Sequence, residues 1–101
     1  MRQYIENLRA ARARLGYDII DIDSQVPVEL AREKMGPETI ILGNVPTVAV
    51  MEKGTPEDVR AAAAACQRGL GGRFILGAGC EVPRSTPIAN MDAFCQYATG
   101  A

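Results

Sequence analysis

The sequence contains no histidine and no tryptophan, and only three tyrosines and two phenylalanines among its 101 residues. Without His, no Ser-His-Asp triad, Cys-His dyad, HExxH helix or Cys2His2 finger can be assembled from this chain alone. An excess of either charge is missing too. Eleven basic residues face twelve acidic ones, for a net charge of −1, so nucleic-acid and membrane-surface binding lose their usual electrostatic support. No apolar run is long enough to span a bilayer. The N-terminus, MRQYIENLRAARARLG, is charged throughout where a signal peptide needs an apolar stretch. Three cysteines, an odd number without a CxxC pair, make neither a disulfide framework nor a self-contained zinc ribbon. Together these absences predict a reduced, cytoplasmic protein with no membrane or nucleic-acid partner.

What is present is ordinary for a soluble globular chain: 48% apolar and 23% charged residues. The length suits one domain, residues 1–101, with a modest core. Over residues 2–15 the recurrence of Tyr4, Leu8, Ala11 and Leu15 predicts a helix with one apolar stripe, stopped by Gly16. Ile20 and Ile22 then alternate with Asp21 and Asp23, the period of a strand with one apolar face. Pro27 and Val28 open a short helix through Met35, ended by Gly36-Pro37. Thr39-Ile40-Ile41-Leu42 is a continuous apolar run, suited to a parallel strand buried on both faces and closed by Gly43-Asn44. After a loop to Gly54, Thr55-Pro56-Glu57-Asp58 combines a cap, a preset first turn and the acid of a capping box. Val59, Ala63, Cys66 and Leu70 stripe the helix that follows. A third strand, Phe74-Ile75-Leu76, leads through Gly77-Ala78-Gly79-Cys80-Glu81-Val82-Pro83 to a second Thr-Pro start at Thr86-Pro87. The last helix carries Ile88, Met91, Phe94, Cys95 and Ala98 on one side.

The order is therefore α-βα-βα-βα: an α/β fold with parallel strands and right-handed crossovers. Three such units form a small open sheet or an arc of a (β/α)8 barrel, and in both cases functional groups gather at the carboxyl ends of the strands. Those ends carry Asp23-Ser24-Gln25, Gly43-Asn44 and Gly79-Cys80-Glu81. Cys80, in loop backbone at that end, is placed to act as a metal ligand or nucleophile, or else is a small packed residue. Cys66 and Cys95 fall on apolar helix stripes and read as core. Asp23 can do acid-base work or hold a substrate, or simply bond loop amides. Asn44 can hold a ligand or cap its own loop. The glycine clusters match no nucleotide-binding pattern.

Taken together, DIIDIDSQV, LGNV, GTPEDV and FILGAGCEVP followed by Thr86-Pro87 and Asn90 resemble the C-terminal part of the uroporphyrinogen decarboxylase superfamily. Within it they are most similar to the cobalamin-dependent, methylcobalamin:coenzyme M type methyltransferase branch. The resemblance implies a TIM barrel of which this chain supplies the last three βα units. It also implies that Cys80, where the decarboxylases carry His, is a zinc ligand. The other two protein ligands would come from a His-x-Cys motif immediately upstream of Met1. The implied chemistry is methyl transfer from a methylcobalamin or other corrinoid donor to a zinc-activated thiol. Asp23, Asn44 and Glu81 would line the pocket and bind substrate. Zinc would be held only if another chain completed the site, because catalytic zinc needs three protein ligands. The implied partners are a second copy of the chain or a complementing N-terminal barrel chain, and a corrinoid protein. LGNVPTV departs from the GNxDP usual in the family, which bears on the loop after Asn44. Two other readings stand beside this one: a decarboxylase-like protein acting on a tetrapyrrole in porphyrin biosynthesis, and a non-catalytic βα fragment used in binding or assembly.

Overall fold

The structure, a computed structural model, describes residues 2–16 and 18–100. Helix α1 (Arg2–Leu15) precedes strand β1 (Ile19–Asp21), helix α2 (Val28–Met35), strand β2 (Ile40–Val45), helix α3 (Pro56–Leu70), strand β3 (Phe74–Ala78) and helix α4 (Ile88–Thr99). The strands form one parallel sheet in the order β1-β2-β3. The predicted α-βα-βα-βα order is therefore the observed one.

Register explains which face of the sheet is buried. Ile20 pairs with Ile41, and Ile41 with Phe74, along the helix-covered side. Ile20, Ile22 and Ile41 are buried there with Val45, Val59, Cys66 and Leu70 in one core. The alternation read in β1 holds, since Asp21 and Asp23 are exposed. On the opposite side Asp21 pairs with Leu42, and Leu42 with Ile75. That side is poorly covered: Ile19 is 49% and Ile75 45% exposed, and Ile40 and Leu42 are only half-buried. The expected two-sided burial of β2 is thus not met, because no second layer lies over this face among the described residues.

Helix α3 forms as its sequence dictates. The Thr55 side chain accepts from the Asp58 N–H, the Asp58 carboxylate accepts from the Thr55 N–H, and Pro56 sits in the first turn. Val59, Ala63, Cys66 and Leu70 are its buried stripe, as expected from their spacing. Helices α1 and α4 depart from their apolar patterns. In α1 the buried residue is Ile5, while Tyr4 and Leu15 are exposed. Leu8 packs only partly on the core. In α4 the buried residues are Asn90 and Ala93, whereas Ile88, Cys95 and Ala98 face outward. The core assignment of Cys95 is therefore corrected.

The reason lies in the segment after β2. Instead of an open loop, Thr47–Glu52 forms a π-helical turn, whose end, like that of any helix, leaves carbonyls to satisfy. Asn90 donates its side-chain amide to the carbonyls of Met51 (2.8 Å) and Gly54 (2.9 Å). That requirement turns α4 so that Asn90 faces inward. The second Thr-Pro start also differs from the first, for α4 has no side-chain cap bond.

At the amino end of the sheet, Arg32 of α2 gathers four carbonyls. It donates to Leu70 at the end of α3 (2.8 Å), Gly36 (2.9 Å), Thr39 (2.6 Å) and Arg73 (2.7 Å). A cation placed against helix C-terminal carbonyls is favourable, and the guanidinium fork reaches several acceptors at once. Burial, and then the nearby Arg73 charge, lower its pKa, but an arginine stays charged at neutral pH. Replacement Arg32→Met should lower stability by about 2–4 kcal/mol, because the carbonyls it held are left unpaired. Urea denaturation checks this. Arg32→Lys should recover little, as one ammonium cannot span all four oxygens.

Candidate functional site

Parallel pairing brings all three carboxyl-terminal strand ends to one edge of the sheet. β2 and β3 run further than their glycines suggested, through Gly43-Asn44-Val45 and Gly77-Ala78. These glycines permit close approach rather than ending the strands. A Cβ on Gly77 would lie 2.8 Å from Leu42 Cδ1, and one on Gly43 3.0 Å from the Ile22 carbonyl oxygen.

The loop after β3 is fixed at two points. The Gly79 N–H donates to the Val45 carbonyl at 2.8 Å, extending the pairing by one residue. Gly79 also lies against Ser24: a Cβ there would sit 2.5 Å from the Ser24 nitrogen and 2.7 Å from its Cα. Only glycine allows this contact between the β1–α2 and β3–α4 loops. It sets Cys80, next in sequence, beside the Asp23-Ser24-Gln25 loop. Further along, the Ser85 hydroxyl donates to the Glu52 carboxylate and joins the β3–α4 loop to the π-helical turn.

Each residue singled out in the sequence has a defined setting. Asp23 is exposed, and its Oδ1 accepts from the Gln25 N–H at 2.9 Å, an Asx-type turn. Cys80 and Glu81 are exposed, and neither side chain has a hydrogen-bond partner among the described residues. Asn44 is different, being 5% exposed. Its Nδ2 donates to the carbonyls of Asp23 (2.9 Å) and Val26 (2.8 Å), so both amide protons are used to hold the β1–α2 loop. The Cys66 thiol, also buried, donates to Asn44 Oδ1, and the Asn44 N–H points at the Cys66 sulfur, both at 3.4 Å. Burial pushes the Cys66 thiol up; the Asn44 N–H opposes that shift and Glu29 adds to it.

The sequence reading missed two parts of this arrangement: the Gly79–Ser24 contact, and the link from Cys66 to the strand ends. The GAG run signalled the first without naming its partner. Nothing local signalled the second, since apolar spacing does not distinguish a cysteine that packs from one that also bonds. Among the described residues, no three His, Cys, Asp or Glu side chains are grouped to hold a metal.

Two outcomes test this geometry. Gly79→Ala should cost about 1–3 kcal/mol, because its Cβ meets backbone that cannot move aside cheaply. Gly72→Ala, with nothing within 4 Å of its Cβ, should stay within about 0.5 kcal/mol of the parent in thermal unfolding. In native protein a thiol reagent should label Cys80 and Cys95 rapidly and Cys66 only after unfolding. Mass mapping of the labelled peptides checks this.

The comparisons with known proteins agree with this architecture. The sequence pattern of the family described as uroporphyrinogen decarboxylase (URO-D) matches residues 2–100. A methylcobamide:CoM methyltransferase of Methanosarcina mazei is 37% identical over 86 residues, 84% of this chain and 24% of that protein. A methylated-thiol–coenzyme M methyltransferase of the same organism is 35% identical over 79 residues, 78% of this chain and 21% of the relative. The chain thus spans less than a quarter of the length of these curated relatives. Among solved structures, a methyltransferase from Methanosarcina mazei superposes with a TM-score of 0.77 at 20% identity, covering 92% of this chain and 27% of that one. The three parallel βα units are accordingly an arc of a TIM-type barrel, and the chain belongs to the uroporphyrinogen decarboxylase family.

Proposed function

We propose that this chain is the C-terminal portion, residues 1–101 as one partial-barrel domain, of a zinc-dependent corrinoid:thiol methyltransferase acting in the cytoplasm. The observation that carries the reading is the loop containing Cys80. It leaves a strand end at the functional edge of the sheet and is held against the Asp23 loop by Gly79. The names of the relatives, methyl transfer to coenzyme M among them, favour methyl transfer over decarboxylation. In this reading Asp23 and Glu81 line the pocket with their carboxylates. Asn44, expected beside them as a substrate-binding residue, spends its side chain on the Asp23 and Val26 carbonyls and the Cys66 thiol, and so shapes the pocket loop instead of touching substrate.

The described residues do not fit a catalytic zinc by themselves. They offer Cys80 but no group of three ligands, and such sites use three protein ligands with one position open. Cys80 is therefore proposed as one ligand of a site completed by polypeptide carrying the rest of the barrel. Strand arithmetic supports a complement over self-association. A barrel of eight strands cannot be divided into whole copies of a three-stranded unit, whereas a segment bringing five more strands closes it. A corrinoid protein would serve as the methyl donor's carrier. A second reading is a non-catalytic βα unit used in assembly, for which the uncovered sheet face with Ile19 and Ile75 exposed speaks.

Zinc analysis of the chain combined with a complementing N-terminal barrel segment separates the two readings. The methyltransferase reading expects about one zinc per complex, lost in Cys80→Ser without loss of the fold. Equal zinc in parent and variant would remove Cys80 from the metal site. No zinc in a folded complex would favour the assembly reading.

A further inference from the structure

The buried Asn44 side chain has only one chemically consistent orientation. Its Nδ2 lies between two carbonyl oxygens, Asp23 at 2.9 Å and Val26 at 2.8 Å. A flipped amide would set oxygen against oxygen at both contacts. The correct orientation turns Oδ1 toward α3, where the donor it meets among the described residues is the Cys66 thiol at 3.4 Å. The contact is returned by the Asn44 backbone N–H, which points at the same sulfur. An open groove lined in part by Ser24, Asn44 and Cys66 runs beside the amide. The thiol retains its proton at neutral pH, because burial raises its pKa.

The loop held in this way carries the pocket carboxylate. The Asp23 carbonyl is tied to Asn44, and the Asp23 carboxylate is oriented by the Gln25 N–H. We infer that Cys66, on the outer helix layer, is a positioning residue: its S–H engages the Asn44 oxygen that the loop carbonyls cannot use, completing the hold on the amide, and Asn44 in turn fixes the Asp23–Val26 loop at the mouth of the site. The inference rests on Asp23 being a pocket residue, as proposed above. It does not depend on which reaction the pocket serves.

The test uses two replacements in the isotope-labelled full chain. Cys66→Val fills the space without a donor, and Cys66→Ser keeps the donor. The readouts are hydrogen exchange of the Asn44 side-chain amide protons and the pH titration of the Gln25 amide shift, which reports on the Asp23 carboxylate. Cys66→Val should speed exchange of the Asn44 amide at least about tenfold and alter the Gln25 titration, while Cys66→Ser stays near the parent. If Cys66→Val matches the parent in both readouts, the thiol only fills space and the inference is overturned. If Cys66→Ser disturbs them as much as Cys66→Val, the hydrogen bond is not the cause and the inference is likewise overturned. Neither readout involves zinc or methyl transfer, so failure here is distinct from failure of the proposed function.

Discussion

Parallel pairing of three strands is the constraint on which the rest of this structure depends. Parallel strands need crossovers, and right-handed crossovers put each connecting helix on the same face of the sheet. This has two consequences. Every strand ends at one edge, so Asn44 near the end of β2 and the loops carrying Asp23 and Cys80 become neighbours despite their separation in sequence. Among the described residues no helix covers the other face of the sheet, and Ile19 and Ile75 stay about half exposed. The arrangement that assembles the functional edge also leaves the opposite face bare.

The two ends of the sheet solve the same problem with different chemistry. Turns and helix ends leave backbone carbonyls that need donors. At the amino end a charged side chain supplies them, with Arg32 holding Leu70, Gly36, Thr39 and Arg73. At the carboxyl end neutral amides do so. Asn44 holds Asp23 and Val26, and Asn90 holds Met51 and Gly54. A neutral donor fixes a loop without placing a cation beside it. The carboxylates of Asp23 and Glu81 consequently keep an edge where loop carbonyls are held by uncharged donors.

Much of this was legible in the sequence, for physical reasons that differ by element. The order of helices and strands was readable because periods of two and of 3.6 residues are separable. Helix α3 was readable in detail, since its cap, its first-turn proline and its buried stripe all agree. Helix α4 was not, because its inward face is set by Asn90. A polar residue scores as outward in any hydrophobic pattern, and only the carbonyls of the π-helical turn explain why it is buried. The ends of β2 and β3 were misjudged for a related reason. Glycine in a strand reads as a stop, but Gly43 and Gly77 serve close packing against Ile22 and Leu42. The Cys80 loop was visible as an unusual run at a strand end. The long-range contact with Ser24, which gives that run its meaning, could not be seen in the sequence alone.

The bare face bears on the chemistry as well as on stability. Ile19, Leu42 and Ile75 lie on it beside Asp21; Asp21, Leu42 and Ile75 form one row across the sheet, and Ile19 pairs with Ile40. Each apolar side chain left in water forgoes on the order of 1 kcal/mol relative to full burial. In the proposed barrel, the remaining strands would turn this face into the packed interior, and water would be excluded from beneath the loop ends. A thiol and two carboxylates at the rim of a dry interior interact far more strongly with a bound metal or substrate than they do in solvent. The exposed Cys80 of the three-stranded unit and the ligand it would become therefore differ in surroundings rather than in backbone position. The Gly79–Ser24 contact and the Asn44 amide already hold that position within this chain.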